Sequence, residues 1–304
     1  MEIVSDQLLA TNGGKPARAN SLSVAVVLAI TVLVGLLYVP LFHWLGWETL
    51  HTQQLVNGAF LVLFALVICV RDALHELRFS PQVGPRGIGL LAAAILSLAV
   101  AAKWHAFSLP LFLLSACLAF AGIVSLLLGD DKVRLFVPAV CAFFVFGLLA
   151  GLVPRLDWPL RAMAAQHAGS LLATLGVPVK IGLTEGQPAQ LLLSVKGRIF
   201  EVATECNGFG LLTSSLIVAT TLAFQYRLPW LQKLSLWAVA VPIAIVCNYV
   251  RIVSICLVAP AVPLPYGFVH ETLGLIFYFL GLGLIWKLAE NVSAKGRDAQ
   301  LRSA

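Results

Sequence analysis

Cys206, Arg251 and His270 are the side chains of this sequence best suited to covalent chemistry on a carbonyl group. Cys206 stands in VATECNGFG (202–210), Arg251 ends PIAIVCNYVR (242–251), and His270 lies in FVHETLG (268–274). A thiolate is the attacking species, and a helix N-terminus or a nearby cation favours its formation. An imidazole can take the thiol proton and return it to a leaving amine. A guanidinium can hold a developing oxyanion or orient the carbonyl. Asn248 and Cys247, three and four residues before Arg251, share its face of a helix, and Asn248 is a candidate orienting partner. Glu201, Glu205 and Glu271 are close in sequence. A carboxylate there can orient the imidazole but also opposes thiolate formation, so the net effect stays open.

Each residue also has a plainer reading. A lone Cys in an apolar helix is usually a small filler, and that reading is taken for Cys69, Cys117, Cys141, Cys247 and Cys256. A His at a helix end is often interfacial. An Arg inside a span is costly, roughly 2.5–3.5 kcal/mol at the bilayer centre, which favours function or pairing over accident. Snorkelling to a lipid phosphate is its alternative. His43, His51, His75, His105 and His167 share neither depth nor spacing and are read as loop or interface residues. There is no CxxC pair and no Cys/His group with zinc spacing, so neither a metal or cofactor site nor a disulfide framework is expected.

The elements that must position these residues follow from composition. Of 304 residues, 60% are hydrophobic and 11% charged, and mean hydropathy is +0.94. Soluble proteins carry about 25% charged residues. The chain is therefore read as an all-α polytopic membrane protein, and soluble, disordered and disulfide-scaffold classes are excluded. The net charge of +6 fits basic cytoplasmic loops better than a nucleic-acid surface, because no basic stripe is interleaved with exposed aromatics.

About eight transmembrane helices are predicted: Ser21–Leu45, Leu55–Val70, Ile88–Ala102, Ala106–Leu128, Leu135–Val153, Asn207–Phe224, Leu234–Val258 and Glu271–Leu288. Residues 1–20 form an N-terminal arm, 21–290 the membrane domain, and 291–304 a tail. The first span is too long for a signal-peptide core and is read as retained. With both termini cytoplasmic, the cytoplasmic segments hold 13 of the 20 Lys and Arg, as the positive-inside rule requires. The remaining long segment, 154–205, is then extracytoplasmic. It reads as a short interfacial helix over Trp158–Leu175, a stretch punctuated by Gly and Pro, and a β-hairpin over Gln190–Thr204 turning at Lys196–Gly197. In this topology Cys206, Arg251 and His270 fall at similar depth on three consecutive spans, all towards the extracytoplasmic face of the plasma (inner) membrane.

The pattern resembles the exosortase/archaeosortase family. The residues that carry the resemblance are Cys206-Asn207-Gly208 after Val-Ala-Thr-Glu, the P-x5-N-x2-R run of Pro242–Arg251, and His270 followed by Gly274. The resemblance implies a membrane-embedded cysteine peptidase or transpeptidase acting on exported proteins. Its substrates would end in a tripartite sorting signal: a short motif, a hydrophobic helix and a basic tail. Carried over, Cys206 is the nucleophile forming a thioester, Arg251 the substrate-orienting or oxyanion residue, and His270 the general acid/base. Water or an amine-bearing acceptor would resolve the thioester, and membrane lipid is the other expected partner. The competing readings are a polytopic transporter with Arg251 on an anion path, a structural subunit of envelope polysaccharide export, and lipid-directed acyl transfer by the same Cys.

Overall fold

The computed structural model describes residues 21–74, 79, 81, 83–184, 191–195, 197–201 and 207–303. Among them are eight α-helices: α1 Ser21–His51, α2 Gln53–Ala73, α3 Pro85–Lys103, α4 Ser108–Leu128, α5 Val133–Thr174, α6 Phe209–Gln225, α7 Trp230–Val258 and α8 Tyr266–Ser303. A single 3-10 turn, His105–Phe107, precedes α4. Seven of the eight are long and apolar enough to cross a membrane, and α6 is apolar but has 17 residues. The protein is thus an all-α polytopic membrane protein.

Burial explains the arrangement. Leu33, Leu36, Phe60, Ile95 and Phe279 are each more than 60% exposed. Side chains this apolar face lipid rather than water. The short helix α6 is the opposite case. It packs on α2, α5, α7 and α8, and most of its residues are buried. Close approach between helices uses small residues, as membrane packing favours. A Cβ added to Gly58 of α2 would lie 2.9 Å from Thr213 Cγ2 of α6, and one on Gly87 of α3 would lie 2.6 Å from Leu126 of α4. A hydroxyl bridge ties the outer helices: Ser115 of α4 donates to the Ala94 carbonyl of α3 at 2.7 Å and hydrogen-bonds Tyr38 of α1.

The segment before α6 departs from expectation in two ways. First, α5 runs unbroken for 42 residues. At about 1.5 Å per residue that is roughly 63 Å, twice the hydrocarbon thickness of about 30 Å. The fifth span and the helix expected at Trp158–Leu175 are therefore one element. Pro154 and Pro159 suggest a break in the sequence, since each removes one backbone donor. The helix continues because Ala164, Ala165, Ala168 and Leu172 are buried against Ile252, Val253 and Cys256 of α7. Second, the expected hairpin is a three-stranded antiparallel sheet in the order β1 Val179–Leu183, β2 Leu191–Val195, β3 Arg198–Glu201. The predicted turn is present: Val195 faces Arg198 across it, and Gly197 takes φ +79°. The extra strand, β1, alternates Val179, Ile181 and Leu183 with Lys180 and Gly182. It is only five residues long and follows Pro178, so alternation alone gives it a weak signal. Leu191, Leu193 and Val195 of β2 bury their side of the sheet on α5.

The end of the bundle away from α6's N-terminus is basic. Arg71, Arg86, Lys132, Arg134, Arg227 and Lys233 cluster in or beside its helix ends and loops. Lys132 lies 3.1 Å from Asp131 and, by donating a hydrogen bond, holds that carboxyl below the usual carboxylate range. Arg86 is 3.9 Å from Asp130.

Candidate active site

Three helix ends meet at the other end of the bundle: the start of α6, the last turns of α7 and the start of α8. Arg251 is partly buried on α7, seven residues before its end, and His270 is partly buried on α8, in the second turn. Their side chains touch: Arg251 Nη2 lies 3.3 Å from His270 Nε2. Arginine has only donors, so Nε2 accepts, and the ring proton is on Nδ1. What the sequence gives as a shared depth is a direct contact. Gly274 stands one turn after His270, and a Cβ on it would lie 3.4 Å from Arg251 Nη2. The glycine lets α8 come close to the guanidinium. Gly274→Leu is expected to push the guanidinium off His270 and lower turnover by about 10-fold or more, measured against Gly274→Ala as the mild control.

Asn248 is 1% exposed. It lies against the turn that begins α6, because a Cβ on Gly208 would come within 2.7 Å of Asn248 Nδ2. Gly208 has φ +81°, so a side chain there meets both backbone strain of about 1–2 kcal/mol and Asn248. Gly208→Ala is expected to reduce both thermal stability in detergent and turnover. An unchanged melting temperature would show that the turn has room to rearrange.

Glu271 is exposed. It lines a cleft of about 590 Å³ together with His270, Tyr266 and the β3 residues Arg198, Phe200 and Glu201. The Tyr266 ring is 5.8 Å from His270 and 6.1 Å from Phe200. One wall of the cleft is therefore a strand and the other is the start of α8. Cys206 and Glu205 lie outside the described residues. Of the five other cysteines, Cys69, Cys117, Cys247 and Cys256 are buried and Cys141 is partly so. Cys247 meets α8, where a Cβ on Gly281 would be 3.6 Å from its Sγ.

Sequence reasoning missed a second polar cluster. Asn207 is 3% exposed. Its Oδ1 accepts the Phe209 N–H at 2.7 Å, satisfying one of the open donors of the α6 N-terminus. Its Nδ2 donates to Asp157 Oδ1 of α5 at 2.7 Å and to Gln54 Oε1 of α2 at 3.4 Å. Asp157 in turn pairs with Arg161, one turn on. The signal was available: Asp157 and Arg161 stand at i,i+4 directly after an apolar span, the spacing of a helical ion pair. His167, read as an ordinary interface residue, stacks on Tyr249 of α7 with ring centroids 5.1 Å apart.

Chemically, the arrangement joins a partly buried guanidinium to an imidazole beside a cleft, and anchors the chain just after Cys206 to α2, α5 and α7. A family model described as transmembrane exosortase (Exosortase_EpsH) matches residues 33–287. That span includes every residue named in this site. No curated protein and no solved structure matches the chain. On the strength of the family match, the chain belongs to the transmembrane exosortase family.

Proposed function

We propose that the protein is a membrane-embedded cysteine peptidase or transpeptidase that removes C-terminal sorting signals from exported proteins. The observation that carries this reading is the Arg251–His270 contact at 3.3 Å. The reading also draws on Asn248, which packs on Gly208, two residues after Cys206. Two trans peptide units span at most about 7.6 Å between Cα atoms, which bounds how far the Cys206 backbone can lie from Gly208. Family membership supports the same class of chemistry.

The mechanism follows from the roles. The imidazole of His270 exchanges the Arg251 hydrogen bond at Nε2 for the Cys206 proton, and the thiolate attacks the scissile carbonyl carbon. An S–C bond forms and the carbonyl oxygen becomes an oxyanion. Once Nε2 carries a proton, it repels the guanidinium it had accepted from. Arg251 is thereby released towards the oxyanion, where a charge-assisted hydrogen bond is strongest. The C–N bond then breaks, and the imidazolium gives its proton to the leaving amine. A thioester on Cys206 remains. Water, deprotonated by His270, yields a carboxylate, whereas an amine yields a new amide; either route restores the thiol.

Topology agrees with the reading. The basic end of the bundle is assigned to the cytoplasm by the positive-inside rule, which puts both termini there and the site on the extracytoplasmic face. The substrate's apolar helix would lie in the bilayer with its basic tail inward, and its short motif would emerge at the cleft between β3 and α8. Proximity then supplies much of the rate. The test is to mix the purified full chain with a co-expressed tagged protein, quench in acid, and weigh the Cys206 peptide. An acyl group on that peptide, removed by hydroxylamine, is the expected result. Cleavage of the tag with no thiol-linked species at any time point would overturn the assignment.

A further inference from the structure

We propose that Asp157 is a positioning residue for the Cys206 nucleophile, acting through Asn207; the proposal rests on the thiol reading given above. Asn207 follows Cys206 directly, and both ends of its side-chain amide are held. Oδ1 takes the Phe209 N–H at 2.7 Å, and Nδ2 gives its hydrogens to Asp157 at 2.7 Å and Gln54 at 3.4 Å. Asp157 is the stronger of the two acceptors by distance and by charge. It lies on α5, a different helix from those that carry Arg251 and His270. The residue after the thiol is thereby referenced to the long helix rather than to its own turn.

A carboxylate suits this place better than a neutral acceptor. It has about four lone-pair sites, enough for Asn207 and for Arg161, with which Asp157 pairs. The side chains of Asp157 and Arg161 are 21% and 17% exposed. Arg161 therefore supplies the counter-charge that lets an acid sit this deep. It also leaves the pair with no net charge. Asp157 can hold Asn207 without the repulsion a bare carboxylate would impose on a thiolate. Pro154 and Pro159 flank it within α5, so the local backbone has few alternative conformations.

The alternative is that the cluster only staples α2, α5 and α6 together. A double-mutant cycle read together with the melting temperature in detergent and the folded fraction of each variant separates the two, since a staple alone lowers stability along with the rate whereas positioning lowers the rate of the folded protein. The variants are Asp157→Ala, Asn207→Ala, the pair together, and Asp157→Asn, all in the full chain and assayed on the same tagged substrate. Under the proposal, each Ala variant loses turnover by about 100-fold, the scale of an ångström of misplacement, with KM little changed. The double variant is then no worse than either single, because Asp157 acts only through Asn207. Asp157→Asn keeps an acceptor oxygen for Asn207 but loses the charge that balances Arg161, and so recovers part of the rate. Losses that multiply in the double variant, wild-type turnover in Asp157→Ala, or an Asp157→Asn variant as poor as Asp157→Ala would each overturn the proposal. Cys206→Ala run in parallel keeps the readings apart. Processing by that variant defeats the thiol assignment itself, whereas an inert Cys206→Ala beside an active Asp157→Ala defeats only the positioning role.

Discussion

Cys206→Ala is expected to leave every molecule of a tagged substrate uncut while the protein still inserts and folds. The reasons are separable. Loss of a covalent nucleophile removes the thioester route altogether, and comparable deletions in other enzymes cost about 10⁶-fold in turnover, below detection in a mass assay of substrate C-termini. The described anchors of the α6 start do not depend on the sulfur. The start of α6 is fixed by the Asn207 bonds to Phe209 and Asp157 and by Gly208 against Asn248, none of which involves the thiol. The melting transition in detergent should therefore match the wild type. Processing by this variant would overturn the nucleophile assignment, whereas substrate flux in proteoliposomes that survives loss of Cys206 would favour the transporter reading.

Arg251 makes the second large effect, with a sign that distinguishes function from scaffolding. Arg251→Ala is expected to lower turnover by about 10²–10³-fold, the usual loss for one donor to a developing oxyanion. The loss should fall on kcat rather than KM, because the interaction strengthens only as charge develops. Stability should move the other way or not at all. The guanidinium is partly buried inside a membrane helix, where a charge is expensive to hold, and Ala removes that expense. Arg251→Lys keeps the charge but loses the planar fork that reaches both His270 and a carbonyl oxygen, so it should recover little. A variant that loses stability and activity in proportion would show that Arg251 holds the bundle together and does not serve the reaction.

Much of this site can be read from the sequence, for a physical reason. Intramembrane charge is rare, so Arg251 marks itself, and helix rise then sets its depth beside the start of the next span. The same counting brings His270 to that depth, and the structure adds the contact between them. Asn248 is legible from its spacing on the Arg251 face, although its neighbour proves to be the Gly208 turn. The Asp157 cluster is harder to see because its members come from α2, α5 and α6. No local pattern links Gln54 to Asn207, and only the Asp157–Arg161 spacing hints at a pair. The unbroken course of α5 is illegible for a related reason. Proline speaks against helix locally, while the burial of Ala164, Ala168 and Leu172 that overrides it is tertiary. Strand β1 fails the same way, since its place is set by pairing with β2.

The shortness of α6 has a consequence for selectivity. Seventeen residues rise about 26 Å, a few ångströms less than the hydrocarbon layer of about 30 Å, and longer helices surround it. Arg251 and His270 likewise sit below the ends of α7 and α8. Arg251 and His270 thus lie one or two turns inside their helices rather than at the tips. Under the proposed reading, a peptide held by its own apolar anchor is delivered to that level more readily than one dissolved in water. Selection would then rest mostly on how deeply a polypeptide is held, with modest recognition of the residues at the scissile bond.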